Sequence, residues 1–250
     1  MGMSSFLIEV YREPRTACLC LWVYLYGWVS ASVRMIEDKR RVLMSTRMLT
    51  GLLLIIGPIV LLAGFIGFEA SGAAPTDWSD TAGTVAELGK NPGLVKTFMS
   101  IGILGMLGGA AGLAGLNHSM ASGSGAHYAR LGLLLYVIGI TIGLAEPTLL
   151  IGIAGAAADG QAGAETLFTA SQAIGAGAAT IWYLGLSVIG ISIFVQKNLH
   201  KILATLIVIV GVIGTVVTRY DYTSDLIGVP FLGSVVVTIA TGALFLRSER

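Results

Sequence analysis

The sequence predicts an all-α, polytopic transmembrane bundle, and three observations carry that prediction. Charged residues make up 12% of the 250 positions, about half of the roughly 25% usual in soluble domains. Hydrophobic residues make up 55%, with a mean hydropathy of +0.83, which suits a protein that is apolar on its outside as well as in its core. Uncharged runs recur at lengths near the roughly 20 residues that a helix needs to cross the hydrocarbon layer.

Charges mark where each span ends. No charge lies between Arg47 and Glu69, and 49–68 is the first span, with Pro58 as a kink within it. The second, 98–116, lies between Lys96 and His118. The third, 131–156, is interrupted by a single acidic residue, Glu146, with Pro147 as a second kink. The stretch from Glu165 to Lys197 is uncharged and longer than one span needs, which places the fourth at 171–195. The fifth, 202–218, is short and very apolar, and the sixth, 226–246, carries Pro230 near its start, where proline is tolerated. The connection 69–95 holds Trp78 and a short helical piece at 81–88, expected on the membrane surface, whereas 157–164 reads as a flexible turn rich in Gly and Ala.

Lys and Arg placement orients the bundle. Arg34, Lys39, Arg40, Arg41, Arg47, Arg130, Lys197, Lys201, Arg247 and Arg250 fall on one side, against Lys90, Lys96 and Arg219 on the other. The second side also collects Glu69, Asp77, Asp80, Glu87, Asp159, Glu165, Asp221 and Asp225. This alternation predicts a multi-pass protein of the cell membrane with a cytoplasmic carboxyl terminus.

Residues 1–43 form an N-terminal extension and 44–250 the transmembrane domain. The apolar segment 17–33, with Trp22, Tyr24, Tyr26 and Trp28, has three readings: a marginal seventh span, an interfacial helix, or the product of a misassigned gene start. The last is open because Met44, followed by Arg47 and a strong helix, is itself a natural beginning. Glu9 and Glu13 stand where a cleaved leader would be basic.

A net charge of +1 without a basic stripe argues against a nucleic-acid partner. Cys18 and Cys20 are too few for a disulfide framework. Many of the 34 glycines lie in the spans at four-residue spacing: Gly108 with Gly112, Gly139 with Gly143, and Ser171 with Gly175 and Ala179. Such rows let helix backbones approach closely where lipid offers no hydrophobic drive for association. They predict intramolecular packing of the second to fourth spans and, as the alternative, a homo-oligomer interface.

Glu146 lies 16 residues past Arg130, about 24 Å along the helix at 1.5 Å per residue. That places it in the outer part of a roughly 30 Å core. Pro147 frees a carbonyl near Gly143, and a carboxyl beside a helix break is a recurring element of ion and proton sites. The candidate site is Glu146 with Gln172 and Ser171, and Thr180 as a further neighbour. The bland alternative is a carboxyl that simply bonds a neighbouring helix. His118, His127 and His200 fall on the basic side without the spacing of a ligand pair, so they are weak metal or haem candidates. Tyr220, Asp221, Tyr222 and Asp225 read as an interfacial anchor with solvated carboxylates. No nucleophile elbow, zinc-protease motif or phosphate-binding loop occurs, and no cofactor is expected.

With six spans, an acidic residue in the third and the basic turn Lys197-Asn198-Leu199-His200-Lys201 before the fifth, region 44–250 resembles in layout a broad group of prokaryotic six-helix membrane proteins of unknown function. Members often carry an acidic residue after the proline of the last helix. Here Pro230 is followed by Phe231, Leu232, Gly233 and Ser234. The resemblance implies the fold and transfers no activity or site. The functional expectations, in order, are a non-enzymatic membrane component or accessory subunit, in a small oligomer or larger membrane complex; a permease or channel for a small solute, ion or proton using Glu146; and a membrane enzyme or haem protein using the histidines.

Overall fold

The computed structural model describes residues 45–197 and 199–247; the extension 1–43 and its segment 17–33 lie outside them. Among the described residues every regular element is helical. In chain order they are α1 (Thr46–Ala70), α2 (Thr81–Lys90), α3 (Pro92–Ser119), α4 (Ala126–Gly143), α5 (Ala145–Ala158), α6 (Ala164–Gln196), α7 (Lys201–Tyr220) and α8 (Gly228–Arg247), with a 3-10 turn at Asp225–Ile227 before α8. Among the described residues six segments are long and apolar enough to cross a membrane: α1, α3, α4 with α5, α6, α7 and α8.

The spans touch in a closed order, α8 to α1 to α3 to α4 to α6 to α7 and back to α8. Packing between α1 and α3 follows from their buried stripes. Thr50, Leu54, Gly57, Leu61, Gly64 and Phe68 recur on α1 at alternate steps of four and three residues, and α3 presents Val95, Met99, Gly102, Gly105, Gly109 and Gly112. Glycine lets the two backbones meet: a Cβ on Gly105 would stand 2.6 Å from Leu61 Cα and 2.8 Å from the Gly57 carbonyl oxygen. The α4–α6 seam repeats the device, since a Cβ on Gly185 would stand 2.8 Å from Tyr136 Cα. The second span's glycines thus face the first span, which Gly57 and Gly64 open to them.

At the basic end, hydrogen bonds close the ring. Arg47 donates to the Phe245 carbonyl at 2.8 Å and lies over the Phe245 ring, joining the start of α1 to the end of α8. Gln196 Nε2 donates to Met120 O at 2.7 Å and Ser192 Oγ to Gly125 O at 2.9 Å, tying α6 to the α3–α4 turn.

The opposite, acidic end holds a second apolar core. The 33-residue α6 is about 50 Å long, well beyond a hydrocarbon layer of roughly 30 Å. It starts seven residues before the position expected from the sequence, which allots the uncharged stretch after Glu165 only about one membrane thickness of helix. α2 packs here against α5 and the start of α6. Val85 and Leu88 of α2 join Phe68, Val95, Ile153 and Phe168 in this core, and Trp78 stacks on Phe168 at 6.3 Å. Asp80 caps α2 by accepting from Gly83 N at 3.1 Å. The connection 69–95 is therefore a folded cap over this end of the bundle.

Candidate functional site at Glu146

The third span is two helices placed end to end. α4 stops at Gly143, Leu144 forms the turn and α5 starts at Ala145. Pro147 has no N–H with which to continue the ladder to the Gly143 carbonyl. Thr148 bonds the next carbonyl instead: Oγ1 donates to Leu144 O at 2.7 Å, and the backbone N–H reaches the same oxygen at 3.4 Å. Pro58, by contrast, lies inside an α1 that continues without interruption.

Glu146 leaves this break partly buried, and its carboxylate is held from two directions. Tyr222, in the turn after α7, donates its phenol O–H to Oε2 at 2.7 Å. Gly175 of α6 faces both carboxylate oxygens, and a Cβ there would run into them. One carboxyl thus joins the α4–α5 break, the middle of α6 and the α7–α8 turn. Burial pushes the Tyr222 phenol well above its ordinary value, and the adjacent Glu146 carboxyl adds to the shift.

The other sequence candidates fall nearby but do not bond this carboxylate. Ser171 is buried and spends its hydroxyl on Phe168 O at 2.8 Å. Gln172 follows it on α6, one turn before Gly175, and makes no hydrogen bond to Glu146. Thr180 donates to Ala176 O at 2.8 Å and meets Thr218 Oγ1 of α7 at 3.3 Å. Gly143 makes ordinary contact with Ala178 and Met106. Gly108, Gly112 and Gly139 lie in seams: Gly108 against Gly57, Gly112 against Leu54 and Gly139 against the Trp182 backbone.

His118 lies in the last turn of α3 and His127 in the first turn of α4, while His200 caps α7 by accepting from Ile202 N at 3.3 Å. Among the described residues no group of three His, Cys, Asp or Glu side chains is placed to hold a metal ion.

Sequence reasoning missed Tyr222 as the partner. The sequence alone reads it as an interfacial anchor, yet it packs partly buried against the main core, whereas its neighbour Tyr220 is 88% exposed. The usable signal was depth: Tyr222 follows a span of α7's length from the basic end, which brings it to the same outer level as Glu146. Sequence reasoning also passed over a small mid-bundle cavity of about 20 Å³ that does not include Glu146. Tyr136, Trp182, Ser234 and Thr238 supply its polar lining.

The site belongs to a multi-pass helical membrane protein, the class that six spans and their buried seams define. Beyond that class no protein family, curated protein or solved structure matches the chain.

Proposed function

We propose that this protein is a non-enzymatic component of the cell membrane, working in a small oligomer or as an accessory subunit of a larger membrane complex. In this reading Glu146 is a fastening, not a coupling group. The observation that supports it is the engagement of the carboxylate, bonded by Tyr222 at 2.7 Å and seated on Gly175. The basic end, with Arg47, Arg130, Lys197, Lys201 and Arg247, faces the cytoplasm on the charge rule, and the carboxyl terminus with it.

A second reading, a permease or channel for a small solute, ion or proton, is favoured by the break at Leu144 beside an acidic side chain. Purified protein in proteoliposomes separates the two. The fastening reading expects no proton flux above protein-free vesicles, and a Glu146→Gln variant that keeps its stability because the amide oxygen still accepts from Tyr222. Proton flux that Glu146→Gln abolishes without loss of stability contradicts it and establishes the second reading.

A further inference from the structure

We infer that the mid-bundle cavity is a binding site for one neutral molecule of water's size that both accepts and donates a hydrogen bond. This goes beyond the reading of Glu146, which is not in its lining. The first observation is an orphaned donor. Trp182 Nε1 is buried and finds no acceptor in hydrogen-bonding geometry, although its ring meets Tyr136 edge-on at 6.0 Å between centroids and its N–H lies close to that phenol. Indole N–H is a donor only, and leaving it unmade at this depth is costly because lipid supplies no substitute.

The second observation is a pair of acceptors in the same lining. Ser234 spends its proton on Phe231 O at 2.7 Å and Thr238 on Ser234 O at 2.7 Å, so both oxygens offer lone pairs. Size is the third. About 20 Å³ exceeds the roughly 10–15 Å³ that one water requires and is too little for a larger solute. α1 contributes Pro58, which has no N–H, and α3 contributes Gly109, where a Cβ would meet nothing within 4 Å. No charged side chain lines the space, which suits a neutral occupant. A molecule accepting from Trp182 and donating to Ser234 or Thr238 serves both kinds of group at once.

The test is nuclear magnetic resonance on full-length protein labelled with 15N-tryptophan in lipid nanodiscs, with the Trp182 indole signal assigned by Trp182→Phe. The expected result is a cross-peak between the Trp182 N–H and water, lost in Gly109→Ala, whose methyl takes the space without a collision. Repeating the spectrum in ammonium buffer at alkaline pH identifies the occupant. A shifted Trp182 signal marks ammonia and an unchanged one marks water; both fit the site. Absence of the cross-peak in the unmodified protein, with a Trp182 signal that ignores Gly109→Ala and moves in Tyr136→Phe, shows Tyr136 accepting directly and overturns the proposal.

Discussion

Gly175 matters for the atom it lacks. A methyl group at that position collides with the Glu146 carboxylate, which is the end of a flexible side chain and can swing away, but only by leaving Tyr222. Gly175→Ala is therefore expected to cost about what an interhelical bond in a bilayer is worth, roughly 0.6–2 kcal/mol. In that background Tyr222→Phe adds nothing further. Thermal unfolding of the two single variants and the double variant checks this; additive losses would show that the carboxylate keeps its bond. The sequence singled out Glu146 because an acidic residue inside an apolar run is conspicuous. It also pointed to α6 as the neighbouring helix, through Ser171 and Gln172. It could not indicate Gly175, since a residue that acts by having no side chain looks like any other member of a packing row. Tyr222 was hidden for a different reason: 76 positions separate it from Glu146, and nothing local to either residue encodes their meeting.

Helix seams are set by where backbone meets backbone. Gly102 and Gly105 lie three residues apart on the buried stripe of α3, and the sequence gives no reason to rank them. A Cβ on Gly105 meets Leu61 Cα at 2.6 Å, and backbone cannot yield, whereas one on Gly102 meets only the Leu61 Cδ1 methyl at 3.9 Å. Gly105→Ala is expected to lose about 1–3 kcal/mol, as overpacked sites do. Gly102→Ala should be neutral or slightly stabilising, because Ala is the better helix former. Equal effects in detergent unfolding would mean that α1 and α3 do not approach as described. Span positions were legible because charge interrupts hydropathy sharply at Arg47, Glu69, Lys96 and Lys197. The early start of α6 was not, because its first residues, 164–170, lie where the sequence alone reads a connection and not a span. The apolar cap over the acidic end was hidden for the same reason, since Val85, Leu88 and Trp78 read as an isolated surface piece until α5 and α6 reach them.

At the scale of the whole molecule, the ring of six spans presents large apolar side chains to its surroundings, among them Leu104, Leu134, Ile202, Val216 and Val236, each more than half exposed, as a lipid-facing surface requires. The orientation proposed for it rests on charge alone. With Cys18 and Cys20 replaced, Gln161→Cys at the acidic end is expected to react with a membrane-impermeant thiol reagent in intact cells, and Ser122→Cys in the α3–α4 turn to resist it. The reverse pattern would invert the topology. The account rests on one carboxyl group that meets the α7–α8 turn and α6, so its most direct test is a double-mutant cycle between Glu146→Leu and Tyr222→Phe, read by unfolding in nanodiscs. The expected coupling is about 0.6–2 kcal/mol, with each single variant destabilised and the second substitution nearly silent after the first. Losses that simply add, with no coupling, would show that Glu146 and Tyr222 are neighbours without being a fastening.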